Sequence, residues 1–256
     1  MKLPIRNSEF KHTLDFIPSY NFKINKAYAA KFDNTFKFRS KIAGKNDIES
    51  VITLCNLVHK SLKHDGVGIA SKSNAYTILK EAKLGRSMRC VEYGIVLFEF
   101  LRLSGFIART ISLRTKDIEI REYGGGHVAV EVYLPSINKW VFVDSQFNCM
   151  PFLNKHPLNA IELRDAIINN FDEVEFRSSD GTLKKEDRLS YIFFILQYLF
   201  YISFTTDISV GYNRKQLIVR LGPKGSKNPK KYQGKYVNEN VTYTNSTATF
   251  YHNPIL

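Results

Sequence analysis

Apolar positions recur at helical spacing soon after residue 45. Val51, Leu54, Val58 and Leu62 fall three or four apart, between Asp47, read as an N-cap with Ser50 three residues on, and Gly66. A second, shorter helix is expected around Ala75 to Ala82, ending before Gly85. The third runs from Cys90 to Ser104, with Gly105 at the C′ position. Val91, Ile95, Val96, Leu97, Phe98, Phe100, Leu101 and Leu103 surround it, while Glu92, Glu99 and Arg102 leave only a narrow polar stripe. Such a helix belongs in an interior.

After Gly105 the period changes to two. Phe106 to Leu113, His127 to Leu134 and Lys139 to Asp144 are β-branched and aromatic runs separated by Gly, Pro and Asn, which predicts successive antiparallel strands. Glu162 to Asn170 reads as a helix, Tyr191 to Phe204 as a buried helix or strand, and Gln216 to Leu221 and Val241 to His252 as late strands. The first 45 residues lack clean periodicity and suggest an irregular arm. The expected organisation is an arm at 1–45, a core at 46–204, and C-terminal strands with a basic loop at 205–256, in an α+β layer where a buried helix is covered by an antiparallel sheet.

Composition agrees with a packed core: 44% of the chain is apolar and 13% aromatic. The net charge of +13 favours acidic partners. Lys224, Lys227, Lys230, Lys231 and Lys235 cluster among Gly, Pro and Tyr; with no recognition helix or aromatic RNA-binding signature beside them, they read as a solvated, mobile loop rather than a nucleic-acid patch. The 3 cysteines, Cys55, Cys90 and Cys149, are too scattered for a disulfide framework and form no zinc pair. No cofactor or metal is expected. Met1 to Tyr20 has charges throughout, unlike a leader peptide, and Tyr191 to Phe204 falls short of the roughly 20 residues of a membrane span. The expected location is the cytoplasm, where Asn-x-Thr at Asn240 and Asn245 carries no meaning.

Three residues then suggest chemistry. Cys90 opens the central helix, near the positive end of its dipole, with Arg86 and Arg89 close in sequence; both effects favour thiolate. Alone, a cysteine there is more often a small buried residue. The strand from His127 alternates, with Val128, Val130, Val132 and Leu134 on a face that must be buried. His127, Ala129, Glu131 and Tyr133 share the other, which suits a reactive cleft. Gly124 to Gly126 would let backbone or substrate approach closely. A turn at Pro135 to Asn138 puts Asp144 opposite Ala129, one diagonal step from His127 and on the same face; a slip of one residue would turn it away. Nucleophile, imidazole and carboxylate make the logic of a triad.

Gly85, Cys90, Glu92, Tyr93, Gly105 and Arg109, then Gly126-His127, Glu131 to Leu134 and Trp140 to Asp144, resemble the core of the transglutaminase-like superfamily. The resemblance covers about residues 47 to 150. It implies a papain-like architecture with the Cys helix packed on a sheet carrying His and Asp. It also implies acyl transfer through a thioester, with Cys90, His127 and Asp144 as the catalytic residues and a peptide or protein as substrate, which the net charge of +13 biases towards acidic ones. Arg109 would hold a core ion pair with Glu92 or Glu99, Gln146 and Asn148 would line the cleft, and the backbone N–H of Cys90 would be an oxyanion donor. Ala129 stands where the family often has Trp, so the cleft wall differs; Gly94 stands where it often has Ala, a change expected to be harmless. The competing reading is a transglutaminase-like binding or scaffolding module without turnover.

Overall fold

The computed structural model describes residues 10–18, 24–206 and 217–254. Parts of the N-terminal arm, most of the Met1 to Tyr20 stretch, and Gln216 at the head of a late strand lie outside the described residues. The helices are α1 (Lys26–Phe36), α2 (Asp47–Ser61), α3 (Ala75–Lys83), α4 (Cys90–Leu103), α5 (Ala160–Asn169), α6 (Lys185–Leu196) and the single turn α7 (Thr247–Phe250). The strands are β1 (Ile107–Arg114), β2 (Gly126–Leu134), β3 (Lys139–Val143), β4 (Met150–Leu153), β5 (His156–Pro157), β6 (Glu175–Ser178), β7 (Gly181–Thr182), β8 (Tyr201–Thr205), β9 (Ile218–Leu221), β10 (Lys231–Tyr232), β11 (Lys235–Tyr236) and β12 (Val241–Thr244).

Local chemistry fixes the ends of the elements that matter. Helix α2 is capped by Asn46 rather than Asp47. The Asn46 side chain accepts from Glu49 N at 2.9 Å, and Glu49 accepts in return from Asn46 N at 3.3 Å. Helix α4 stops where Gly105 takes φ +94 and Phe106 N bonds Leu101 O at 3.0 Å. The arm is not irregular throughout, because α1 lies in it and buries Phe32; Phe38, just beyond, stacks on Phe100 of α4 at 4.9 Å. The apolar run from Tyr191 divides, its first part ending α6 and its last forming β8. Val241 to His252 is a strand only as far as Thr244, because the Ser246 hydroxyl accepts from Thr249 N at 3.0 Å and starts a helical turn.

A 6-stranded sheet of order β12-β9-β8-β1-β2-β3 organises the chain, antiparallel except for the parallel pair β12 and β9. Between β2 and β3 the turn is a 3-10 helix at Pro135–Ile137, closed by Asn138 at φ 54. The register runs from Leu134 opposite Lys139 to Val130 opposite Val143, as the turn requires. Helix α4 packs on the face carrying Val130, Val132 and Leu134, together with α2 and α3. The opposite face does not front an open cleft along its length. Ala129 and Phe142 are buried there with residues of α5 and α6, Glu131 is inaccessible, and Arg109 of β1 meets it with Nη2 2.7 Å from Oε2. The Arg109 guanidinium also donates to Phe250 O at 3.0 Å and lies 4.2 Å from the Trp140 ring and 4.1 Å from the Phe204 ring. Its partner is therefore neither Glu92 nor Glu99, which bond Arg89 and Arg102 on their own helix.

Gly94 sits where α4 crosses β2. A Cβ there would come within 2.7 Å of Val128 Cγ1, so the glycine permits the close approach and an added methyl would force Val128 to shift.

Candidate active site

Cys90 is the first residue of α4 and is half-buried. The loop before it is tied down: Met88 N donates to Lys63 O at 2.7 Å, and the Met88 side chain is fully buried. Neither nearby arginine is left to the sulfur alone. Arg89 bonds Glu92 at 3.0 Å and Arg86 bonds Glu81 at 2.6 Å. The helix terminus remains as the local source of positive field.

His127 enters β2 opposite Leu113, and only 2% of it is exposed. Its Nε2 lies 2.7 Å from Asp144 Oδ2. Burial alone would pull the imidazole down. The Asp144 charge and hydrogen bond, with a further contribution from the Cys90 side chain, outweigh it and push it up to about 9. With Nε2 committed to Asp144, Nδ1 is the ring nitrogen left for sulfur. His127 and Asp144, from β2 and the end of β3, thus meet directly, and the Cys90 side chain of α4 is near enough to act on the ring.

Asp144 is held from several sides. Its backbone exchanges two hydrogen bonds with Cys149, at 2.9 and 3.0 Å, closing a tight loop. Oδ1 accepts from Gln146 N at 3.0 Å, and Oδ2 accepts from the Tyr191 hydroxyl at 2.9 Å. The loop residues serve this turn more than a cleft: Asn148 reaches Asn56 on α2 at 3.0 Å, and the Gln146 carbonyl meets His59.

The wall around His127 is aromatic. Phe194 stands edge-on at 5.1 Å, with Tyr198 at 5.9 Å and Phe147 at 6.1 Å between ring centroids. The glycines before His127 admit the chain's own side chains. A Cβ on Gly125 would meet Ile118 Cδ1 at 2.5 Å, and one on Gly126 would meet the Tyr232 hydroxyl at 2.7 Å. Tyr232 belongs to the basic segment, which is a docked hairpin of β10 and β11 rather than a solvated loop: Gln233 N bonds Ile118 O at 2.8 Å and Lys230 N bonds Glu119 at 2.8 Å. Arg114 lies 5.1 Å from the Tyr232 ring.

Four neighbours of the site escape sequence reasoning. His64 runs parallel to Met88 through a backbone bridge, and its imidazole is held down by burial first and by His127. Tyr191, Phe194 and Tyr198 bring the rings of α6 and the turn after it to His127 and Asp144; their spacing of three and four was the available signal. Among the described residues no group of three or more His, Cys, Asp and Glu could hold a metal ion, and no helix is long and apolar enough to cross a membrane.

Residues 37–145 match the family model of the transglutaminase-like superfamily core. No curated protein matches the sequence. Among solved structures, the chain is similar to a candidate cysteine protease from Cytophaga hutchinsonii, with 13% identity and TM-score 0.37 over 46% of this chain and 37% of that one. It is also similar to a TGase, with 13% identity and TM-score 0.34 over 49% of this chain and 34% of that one. LapG of Legionella pneumophila, in an EGTA-treated crystal, aligns at 10% identity and TM-score 0.33 over 66% of this chain and 89% of that one. The chain thus spans little more than a third of the first two.

Proposed function

We propose that this chain, whose residues 37–145 belong to the transglutaminase-like superfamily, is a thiol enzyme that transfers the acyl group of an amide through a thioester on Cys90. The observation that carries the reading is the 2.7 Å bond from His127 Nε2 to Asp144, with the Cys90 side chain close enough to act on the same ring. In the first step the Cys90 sulfur, its proton held by His127, attacks the amide carbon. The imidazolium returns the proton to the leaving nitrogen as the C–N bond breaks, and the acyl group remains as a thioester. In the second step His127, now neutral, takes a proton from water or from a lysine amine, which attacks the thioester and releases the thiolate. Asp144 fixes the ring and stabilises its charge in both. The Cys90 N–H at the helix start is the proposed oxyanion donor, and the upstream His64 is the side chain proposed to assist it.

The charge of +13 points to a substrate peptide or protein carrying acidic residues. We place the catalytic core at 46–204, flanked by the arm at 1–45 and the segment at 205–256, and the protein in the cytoplasm. A binding module without turnover is favoured by one observation: His127 is nearly sealed by its aromatic wall. Incubation with an acidic peptide library and a labelled amine, followed by mass spectrometry, separates the readings. An acyl adduct on Cys90, absent from Cys90→Ala, is expected. Absence of an adduct, together with ordinary iodoacetamide reactivity of Cys90 below pH 7, would leave the binding module.

A further inference from the structure

The Asp144 carboxylate receives one donor more than a Cys, His and Asp site requires. Oδ1 is occupied by Gln146 N at 3.0 Å and Phe147 N at 3.4 Å, the turn that holds the aspartate in place. Oδ2 takes both His127 Nε2 at 2.7 Å and the Tyr191 hydroxyl at 2.9 Å. Tyr191 comes from α6, is 1% exposed, and has its ring fixed against Phe147 at 4.8 Å and Phe176 at 5.0 Å. Burial, and then the Asp144 charge, hold the phenol well above its ordinary range, so it remains a donor wherever His127 titrates.

We propose that Tyr191 is a positioning residue of the site: by sharing Asp144 Oδ2 with His127, it limits how tightly the carboxylate holds the imidazolium. A donor on a carboxylate oxygen disperses the charge there, and a second donor on that oxygen meets a weaker acceptor. The other titratable groups around the pair do not supply this effect. Cys149 lies beside Tyr191, and Cys55 donates from α2 to the Asp144 backbone carbonyl at 3.6 Å; burial first, and then Asp144, keeps both as neutral thiols. Cys90 on α4 acts on the His127 ring, and His64 acts on it through space. Among the described residues only Tyr191 adds a further side-chain donor to the oxygen that binds the imidazole. Its catalytic consequence rests on the function proposed above. An imidazolium held less tightly gives its proton to the leaving amine more readily, nearer the matched acidity that general acid catalysis favours.

The test replaces the hydroxyl and keeps the ring. In full-length Tyr191→Phe, the His127 titration is followed by the ring nitrogen resonances alongside the unaltered protein. The midpoint should rise by about half to one pH unit. The alkaline limb of kcat/KM should move up by the same interval, with kcat falling several-fold at unchanged KM. A midpoint that stays put or falls overturns the inference, because a tyrosine that merely satisfies a buried hydroxyl would change the melting temperature and not the titration. If Tyr191→Phe does not fold, the Tyr191 13Cζ resonance of the unaltered chain decides: it must follow the His127 titration, and indifference to it overturns the proposal. A raised midpoint in a protein that never forms a Cys90 adduct would sink the proposed function and leave the Tyr191 role standing. Adducts with an unmoved midpoint would do the reverse.

Discussion

Asp144→Asn tests the electrostatic arrangement through stability, without a substrate. In the folded protein His127 is raised from 6.5 to about 9. Between those values the native state keeps a proton that the unfolded chain has released, so stability is fully present below pH 6.5 and declines as pH rises through 9. The expected slope is about 1.4 kcal/mol per pH unit, or roughly 3 kcal/mol between pH 6.5 and 8.5. Asparagine keeps the shape and an oxygen for Gln146 N but removes the charge, which leaves burial to pull His127 below its ordinary value. The contribution should then change sign, appearing only as pH rises towards 6.5. Denaturant unfolding of both proteins at half-unit intervals gives the difference curve, in which unrelated groups cancel. Parallel curves over that window would refute the account of His127.

Gly94→Ala should destabilise by about 1–3 kcal/mol, because Val128 Cγ1 stands 2.7 Å from the added carbon; chemical denaturation checks it, and slower alkylation of Cys90 would show that α4 has lifted from the sheet. Glu131→Gln leaves Arg109 charged and inaccessible, with an expected loss of about 3–5 kcal/mol; a loss under 1 kcal/mol in denaturant melts would contradict the buried pair. Cys90→Ala should melt within a few degrees of the unaltered protein while forming no adduct, since the half-buried thiol packs little. A large drop in melting temperature would make the cysteine structural instead.

Helix α4 and the three strands after it were legible because their apolar periods are long and bounded by glycines and a proline. The meeting of His127 with Asp144 was legible because one turn sets the β2 and β3 register. Failures occurred where neighbouring residues could do the same work or where partners are distant in sequence. Asn46 and Asp47 are both competent caps, and a reciprocal bond to Glu49 selects the first. Arg109 has several glutamates within reach in principle; strand pairing puts Glu131 directly opposite it. The lysines after residue 223 look solvated when counted as charges, but Glu119 binds the backbone of Lys230 and Lys231, and the Ile118 carbonyl binds that of Gln233 between the strands. Tyr191 shows only a helical spacing with Phe194 and Tyr198, His64 shows no local signature, and the folded topology alone brings either of them to the site.

The hold that Phe250 O exerts on Arg109, and His252 O on the Trp140 indole, bears on how the molecule can be dissected. The stretch matched by the family ends at residue 145, yet two of its buried side chains, Arg109 of β1 and Trp140 of β3, donate to backbone carbonyls of the last few residues described. Excised alone, that stretch would keep Glu131 on Arg109 but lose the Phe250 carbonyl, the Phe204 ring and the β8 strand that pairs with β1, so the recognisable part of this protein is not a separable part.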